Sequence, residues 1–317
     1  MYKEYYRFSE NPFDLQPDPR FLYLGRSHSE VLSAMKSGIK EKKGIIVIAG
    51  QTGIGKTTLI NAFLEDLGEE MKTAYISSPK PDFKSMLETI LQELGVPINE
   101  GENEIYLLLI QFRKYFNERY SRGEIVRVII DEAQSLNAEV LESLGRLLDP
   151  DTAAAKSLQI LLVGDMELLW MLNSEKLEAV NREIEVYAQI KPLTREEGRG
   201  YIQHRLKVAG RDISEIFKAG AVKKIWKHAK GIPRAMNLLC DRALFIGHEK
   251  SRPIIDSKIV RQAIADLDHH EDAGTEAGAF ANLGRSARFG AIRFAIFILS
   301  LGIFFLALGE IRQVIMR

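Results

Sequence analysis

The chain has 317 residues, a length that allows two or three domains. Hydrophobic residues make up 46% and charged residues 27%, a globular composition that excludes disordered, collagen-like and coiled-coil proteins. Lys and Arg (43) balance Asp and Glu (43), so the formal charge is zero, which argues against a protein built to coat nucleic acid.

Residues 1–43 are rich in aromatic residues and proline. Pro12, Pro17 and Pro19 interrupt any long helix, so we expect an extended N-terminal arm with turns. The first residues contain no apolar run and therefore predict no secretion signal. A helix is expected from about Ser29 to Lys42, where apolar residues recur on one face. Four aromatic side chains are expected to anchor the arm: Phe8, Phe13, Phe21 and Tyr23.

Residues 44–190 alternate between strand and helix patterns, which predicts a doubly wound α/β core domain with a parallel sheet between two helical layers. Continuous β-branched runs are typical of strands buried on both faces. They lie at Gly44–Ala49, Thr73–Ile76, Val126–Ile130, Ile160–Val163 and about Ile184–Ile190. Helical patterns lie between them at Lys56–Leu67, Phe83–Leu94, Ile105–Tyr120, Ala138–Leu148 and Glu167–Val180.

The first predicted strand ends in a sequence that fits the phosphate-binding loop, or P-loop, G-x-x-x-x-G-K-[ST]. Glycines allow successive backbone N–H groups to point into one nest, and the following helix adds its positive end. Lys56 is predicted to reach the β- and γ-phosphates of ATP, and Thr57 to be a Mg²⁺ ligand. The predicted ATP-binding residues are Gly50, Gln51, Thr52, Gly53, Ile54, Gly55, Lys56, Thr57 and Thr58.

Two acids, Asp131 and Glu132, directly follow the apolar strand Val126–Ile130. In a P-loop protein the first acid holds Mg²⁺ directly or through water, and the second polarises the attacking water. Adjacent carboxylates at a strand end also occur as helix caps. Together with the loop, the pair favours hydrolysis over binding alone.

Asp165 and Arg234 are two further predicted catalytic residues. Asp165 follows the strand Ile160–Val163, whose tip can contact the γ-phosphate, although its carboxylate could instead cap the next helix. Arg234 lies in Gly231-Ile232-Pro233-Arg234, where proline suits the first turn of a helix. We expect that helix to carry Arg234 toward the phosphates.

Residues 191–268 contain helical patterns without strands and predict an all-helical lid domain. The patterns lie at about Arg195–Ala209, Ser214–Lys230, Pro233–Glu249 and Ser257–Asp268. Between Lys191 and Arg261 there are 17 basic and 7 acidic residues. Such a basic surface is compatible with solubility, with contact to anionic lipid or with nucleic-acid contact. The single cysteine, Cys240, excludes an intramolecular disulfide and suits a reducing cytosol.

The last part of the chain predicts a linker at 269–290, rich in Gly and Ala, and a transmembrane helix at 291–309. Phe294–Leu308 is a run of fifteen uncharged residues, shorter than the usual span of about 20 residues, but flanking charges can reach the headgroups. A buried core helix is the other interpretation of this length. Arg285, Arg288 and Arg293 precede the run, so the positive-inside rule predicts a single-pass inner-membrane protein whose N-terminal domains are cytoplasmic.

The order of these motifs resembles that of the AAA+ ATPases. In more detail the chain resembles the ExeA/GspA family of bacterial secretion-pathway ATPases over roughly residues 1–267. The matching residues are Tyr5-Tyr6-x-Phe8, Asn11-Pro12-Phe13, Pro17–Leu24, Asp131-Glu132-Ala133-Gln134, Leu158–Gly164, Gly231–Arg234 and Asn237–Leu244.

This resemblance implies the sheet order 5-1-4-3-2, ATP hydrolysis with Mg²⁺, and a homo-oligomer in which an arginine of a neighbouring subunit completes each site. It also implies action at the inner membrane on a cell-envelope assembly, such as a secretion, pilus or exopolysaccharide system, whose partner protein is unknown. Arg182 is the first candidate for the arginine that acts in trans and Arg146 the second. The family usually has Gln at the position of Asp165. We do not expect the family's periplasmic peptidoglycan-binding domain in this chain, so the resemblance does not imply peptidoglycan binding.

Two other functional interpretations stay open at this point. One is a DNA-transaction regulator of the transposition-helper type, although the neutral total charge and the predicted membrane helix make nucleic acid the less favoured partner. The other is an adaptor that binds nucleotide without hydrolysing it.

Overall fold

The structure, a computed structural model, describes residues 2–68, 71–98, 104–148, 152 and 155–268. The predicted linker 269–290 and transmembrane helix 291–309 lie outside the described residues. Among the residues that are described, no helix combines the length and the apolar character needed to cross a membrane. Residues up to Val260 group into one compact unit, which contains the labelled strands and helices below, and the helical segment 257–268 extends beyond it.

A five-stranded parallel sheet forms the centre of the core. Its strands are β1 (Ile45–Gly50), β2 (Thr73–Ile76), β3 (Val126–Ile130), β4 (Leu158–Gly164) and β5 (Ile184–Ile190). The spatial order is β2-β3-β4-β1-β5, which confirms the order 5-1-4-3-2 implied by the family resemblance. The register places Ile48 opposite Val163, and Ile130 opposite Leu162. The carboxyl ends of β1, β3 and β4 therefore lie side by side, where polar residues follow all three strands.

Helices cover both faces of the sheet, as the alternating sequence pattern predicts. In chain order the helices are α1 (Tyr2–Tyr5), α2 (Arg26–Lys40), α3 (Lys56–Leu67), α4 (Phe83–Glu93), α5 (Ile105–Ser121), α6 (Ala138–Arg146), α7 (Met166–Leu172), α8 (Glu178–Arg182), α9 (Arg195–Val208), α10 (Ile213–Ile216), α11 (Ala219–Ala229) and α12 (Pro233–Glu249). Those that pack on the sheet are α2–α8, and α9–α12 form the lid. Residues 257–268 are also helical. Side chains of β1 alternate between two cores, since Val47 packs with α4–α7 while Ile46 and Ile48 pack with α2 and α3.

Two predicted helices are interrupted in the structure. The helix expected at Glu167–Val180 ends at Leu172, because the side chains of Asn173 and Ser174 donate to the carbonyls of Leu169 and Met171 and compete with the helical pattern. A 3₁₀ turn then leads to α8.

The helix expected at Ser214–Lys230 is divided into α10 and α11. Its break is at Phe217, whose backbone is extended and forms a parallel bridge with Ile255.

β5 differs from its predicted burial on both faces. Its residues alternate between partly buried and exposed up to Ile190, whereas every residue of β1, β3 and β4 is buried. The reason is topological, because β5 lies at the edge of the sheet and pairs with β1 alone. The sequence carries a sign of this alternation, because the exposed positions are those of Glu185, Tyr187 and Gln189.

The N-terminal arm packs on the lid helices. Ser9 N–H donates to the carbonyl of Ala209 (3.1 Å), and the Tyr6 hydroxyl donates to that of Arg252 (2.9 Å). Phe13 meets Phe217 edge to face, with ring centroids 6.2 Å apart. Phe8, Phe13 and Phe21 are buried, which confirms them as anchors. A short helix, α1, precedes the extended part of the arm.

Candidate nucleotide-binding site

The loop between β1 and α3 has the backbone shape that a phosphate cradle requires. Gly53 (φ 77°) and Gly55 (φ 105°) adopt left-handed conformations that other residues rarely take. At Gly50 a side chain would approach Ile54 Cγ2 to 2.9 Å. The three glycines thus let the loop curl closely over the end of the strand, and α3 begins at Lys56 with its free N–H groups facing the same space.

Lys56 and Thr57 lie at the start of α3 and point toward the sheet edge. Lys56 is only 6% exposed, and its Nζ donates to the carbonyl of Gly50 at 3.0 Å. The Thr57 hydroxyl donates to Asp131 Oδ2 at 2.7 Å. The structure therefore brings the loop and the acid that follows β3 together, across 74 residues of sequence. A hydroxyl and a carboxylate in contact are the hard oxygen donors that Mg²⁺ prefers.

The two acids after β3 have different surroundings. Asp131 is 2% exposed, and its second oxygen accepts from the backbone N–H of Glu132 at 2.9 Å. Glu132 is exposed and has left-handed backbone angles (φ 52°, ψ 36°), a conformation that is strained for a residue other than glycine. Its carboxylate lines the cleft that also contains Lys56 and Thr57. This arrangement fixes one carboxylate at the candidate metal position and presents the other to the cleft.

Gln134 is a site residue that the sequence reasoning did not single out. Its amide nitrogen donates to Glu132 Oε2 at 2.5 Å, and its amide oxygen accepts from the backbone N–H of Asp165 at 3.1 Å. A side chain at Gly164 would come within 2.8 Å of that oxygen, so glycine is needed there. The Gln134 side chain therefore joins the ends of β3 and β4. The indication available in the sequence was that Gln134 belongs to Asp131–Gln134, one of the segments that resemble the ExeA/GspA family.

Asp165 lies at the predicted strand tip, but its carboxylate caps α7. Oδ1 accepts from the backbone N–H of Glu167 at 2.9 Å. The structure thus shows the capping arrangement that was the other interpretation of this residue, while its backbone N–H contacts Gln134. Asp165 does not line the cleft around Lys56.

Arg234 packs directly on the phosphate-binding loop. Its backbone N–H donates to the carbonyl of Gly53 at 3.1 Å, and a side chain at Gly53 would lie 2.7 Å from Arg234 Cβ. Its side chain lines the cleft together with Thr52, Lys56 and Glu132. The structure therefore brings α12 and the P-loop into contact, as the motif Gly231–Arg234 predicted.

A methyl group at Gly53 is expected to push α12 away from the loop. Gly53→Ala should lower ATP affinity about tenfold, because overpacking costs about 1–3 kcal/mol and about 1.4 kcal/mol corresponds to a factor of ten. Gly95→Ala is the matched control, since Gly95 has φ 72° and no atom near the added carbon. Both variants should lose stability in urea titrations because of the left-handed backbone, and Gly53→Ala should lose more because of the added contact with Arg234. Equal ATP affinities of the two variants in equilibrium dialysis would contradict the packing argument.

The cleft has a volume of about 180 Å³ and a second wall formed by the arm. Asp14, Gln16 and Asp18 line it opposite the loop. Buried Arg205 of α9 holds this segment by donating to the carbonyls of Pro12 and Asp14, the latter at 2.9 Å. Composition gave no signal for this wall, because it depends on long-range contacts between the arm and the lid.

A smaller apolar cavity of about 50 Å³ adjoins the loop on the side of α2. Tyr23, His28, Ile54, Leu193 and Tyr201 are among its lining residues. His28 Nε2 is 3.1 Å from the carbonyl of Ile54, and burial lowers the pKa of this imidazole. With Nε2 protonated as the donor to that carbonyl, His28 is a neutral residue that supports the loop.

Replacing His28 should make the fold less sensitive to acid. The unfolded chain binds a proton near the usual histidine pKa of about 6.5, whereas the folded state resists protonation until its lower pKa is reached. The free energy of unfolding therefore falls as the pH drops below about 6.5. Above that pH, His28 makes no pH-dependent contribution to the free energy of unfolding. Urea titrations at about pH 7.5 and 5.5 should show a smaller acid loss in His28→Gln. An identical gain in the exposed control His228→Gln would contradict this assignment.

Arg182 and Arg146 do not reach the site of their own chain. Arg182 is exposed at the end of α8 and pairs with Glu178, and Arg146 is exposed at the end of α6 and pairs with Glu142 at 2.6 Å. Neither lines the cleft. Both are exposed, and the hypothesis that one of them acts in trans stays a prediction.

Comparisons with known proteins agree with this geometry. The AAA domain family matches residues 39–172. General secretion pathway protein A of Aeromonas hydrophila is 31% identical over 275 residues, which cover 87% of this chain and 50% of that protein. The chain thus spans about half the length of that relative.

Solved structures are similar at the level of the fold. The Aeropyrum pernix ORC2 protein, solved as ADPNP-ADP complexes, has a TM-score of 0.62 at 21% identity, with 82% of this chain and 72% of that chain covered. Cdc6p from Pyrobaculum aerophilum has a TM-score of 0.63 at 16% identity, with 78% and 70% covered. These structures show the fold, and the secretion-pathway relative together with the AAA match shows that the chain is an ExeA/GspA-like AAA+ protein.

Proposed function

We propose that this protein binds ATP with Mg²⁺ and hydrolyses it in the cleft between the loop, the sheet edge and α12. The observation that carries the proposal is the contact between Thr57 and Asp131, which joins the phosphate-binding loop to a buried acid at the adjacent strand end. AAA+ neighbours, including one solved with ADPNP and ADP, support nucleotide chemistry in general.

Each residue has a role that follows from its position. Lys56 and the loop amides would neutralise and hold the phosphates, and Mg²⁺ would be held by Thr57 and Asp131, where it supplies further charge stabilisation. Glu132 would orient the attacking water, since its carboxylate is presented to the cleft. Gln134 positions that carboxylate through its amide.

Binding and its metal dependence can be tested together by equilibrium dialysis of labelled ATP. We expect retention of ATP with Mg²⁺ and weaker retention when EDTA removes the metal. Thr57→Val keeps the shape of the side chain but removes the hydroxyl, so it should reduce the Mg²⁺ dependence. If folded protein retains no ATP under either condition, the proposal is wrong.

We further propose that ATP turnover serves an assembly at the cell envelope and that residues 291–309 anchor the protein in the inner membrane. Support comes from the apolar run Phe294–Leu308 and from the relative named general secretion pathway protein A. In a membrane flotation gradient, the full chain should move upward with the membranes. A chain that ends at Asp268 should stay at the bottom of the gradient. Equal flotation of both would contradict the anchor.

A homo-oligomer with shared sites follows from the same proposal. Exposed Arg182 and Arg146 are the candidates for completing the site of a neighbour. If Arg182 acts in trans, Arg182→Ala protein should regain turnover when mixed with Glu132→Gln protein, because each supplies what the other lacks. If the mixture gains nothing and the same experiment succeeds with Arg146→Ala, the second arginine is the one that acts.

DNA is a second candidate partner because the lid is basic, with 17 basic and 7 acidic residues between Lys191 and Arg261. A salt-dependent shift of duplex DNA in a gel would favour a DNA-transaction role. We expect no such shift at physiological salt, since the total charge of the chain is zero.

A further inference from the structure

A groove of about 570 Å³ lies on the lid between α9, α10 and α11, among residues separate from the nucleotide cleft. Its rim carries Arg195 and Arg199 from α9 and Lys218 and Lys223 from the start of α11. Glu196 is the one carboxylate among its lining residues. The rim therefore presents a positive potential to any ligand that enters.

The floor of this basic groove is apolar. Ile213 and Phe217 are 4% and 3% exposed, Val222 is also buried, and the indole of Trp226 is half-buried. An apolar centre surrounded by a charged rim is the general anatomy of a protein-recognition surface. The apolar side chains of the floor pack into the lid and do not fill the groove. The groove can therefore accept an apolar side chain of a ligand.

The four rim cations are available to a ligand. Within the part of the chain that the structure describes, none of them forms a salt bridge. A hydrogen bond from the backbone N–H of Ile259 lowers the pKa of Asp256, and the charge of Lys218 contributes to this shift, so part of that charge acts within the lid. Arg195, Arg199 and Lys223 face solvent. An acidic ligand would therefore gain charge complementarity without breaking an existing ion pair.

We propose that the basic groove binds an acidic peptide segment of a partner protein, with one aromatic or aliphatic side chain inserted over Trp226. A single-stranded nucleic acid fits this surface less well, because base stacking needs exposed ring faces. Phe217 is too deeply buried to offer one, and Trp226 is partly covered. The concave apolar floor instead provides a pocket for an anchoring side chain, the feature on which peptide recognition in a groove relies.

The groove is connected to the nucleotide cleft by a short series of hydrogen bonds. Trp226 Nε1 donates to the carbonyl of Leu193 at 2.9 Å, and Leu193 N–H donates to that of Gly231 at 3.0 Å. Three residues later, Arg234 N–H donates to Gly53 of the phosphate-binding loop. A peptide seated on Trp226 would therefore contact a side chain that is hydrogen-bonded to the segment between the lid and the loop.

The test is selection of a random short-peptide library on the immobilised full chain, without nucleotide. Selected peptides should be enriched in Asp and Glu around an aromatic or aliphatic residue. The double variant Arg199→Glu/Lys218→Glu should bind the selected peptides at least about tenfold more weakly, since like charges then face the acidic peptide. The matched control Arg113→Glu/Lys114→Glu makes the same charge change at exposed positions of α5 and should retain it.

Tryptophan fluorescence locates the bound peptide. In Trp170→Phe protein, Trp226 is the remaining tryptophan, since the chain has two, and a selected peptide should shift its emission. The proposal is overturned if no acidic pool is enriched, if both double variants lose binding equally, or if Trp226 does not respond. It is also overturned if duplex DNA occupies the groove more tightly than the peptide, or if emission changes with protein concentration alone, which would indicate a second copy of this chain.

Peptide binding in the groove does not depend on ATP hydrolysis. Lys56→Ala protein should bind the selected peptides as the wild type does, because Lys56 lies in the cleft and not in the groove. If the wild-type protein turns over ATP but binds no acidic peptide, only the groove proposal is contradicted. If it binds the peptide but does not turn over ATP, only the proposed function is contradicted.

Discussion

Lys56→Ala protein is expected to fold normally and to lose ATP turnover by about 10²–10³-fold, the usual cost of removing one preorganised group that stabilises transition-state charge. Lys56 lies at the first position of α3, 6% exposed, with its ammonium held by the carbonyl of Gly50. It is thereby fixed beside the loop amides before any phosphate arrives. Phosphate release measured at saturating ATP and Mg²⁺ checks the prediction.

Lys36→Ala is the matched control for this experiment. Lys36 pairs with Asp66 on the surface at 2.7 Å, where an ion pair contributes little to stability. We expect turnover close to that of the wild type. Should Lys56→Ala protein hydrolyse ATP as fast as the control, the assigned phosphate site would be wrong.

Glu132→Gln is expected to separate binding from chemistry. The amide keeps the size of the side chain but cannot act as a base, so turnover should fall by about 10²–10⁴-fold, the usual contribution of general acid–base catalysis. ATP affinity should stay close to that of the wild type, because Lys56, Thr57 and Asp131 are untouched. Single-turnover hydrolysis and equilibrium dialysis measure the two quantities separately.

Glu139→Gln makes the same chemical change at an exposed position of α6, outside the cleft. It should alter neither turnover nor affinity. If Glu132→Gln protein turns over as the control does, hydrolysis does not use this carboxylate, and an adaptor that binds nucleotide without cleaving it becomes the better interpretation.

The sheet was largely predictable because its strands are apolar on both faces. β1, β3 and β4 pack against helices on each side, so their runs of Val, Ile and Leu stand out from the surrounding sequence. The partial exposure of β5 and the position of the helix breaks were harder to predict from the sequence. β5 alternates in burial because it has one neighbour, and the break after Leu172 depends on how Asn173 and Ser174 use their side chains.

The candidate site was predictable where one short segment supplies the chemistry. Gly53, Gly55 and Lys56 have fixed spacing because the backbone itself forms the cradle. Contacts between segments were harder to predict. The bridge from Gln134 to the backbone of Asp165 requires knowing that β3 and β4 are neighbours, and the capping of α7 by Asp165 competes with its expected role at the strand tip.

The N-terminal arm is attached to the lid through Arg205, Ser9 and Tyr6, yet Asp14 and Asp18 form a wall of the nucleotide cleft. Any rotation of α9 relative to the sheet would carry these two carboxylates with it and change the negative charge that a triphosphate meets on entry. The beginning of the polypeptide would thereby take part in any such rotation, and we expect that trimming it alters how fast nucleotide exchanges.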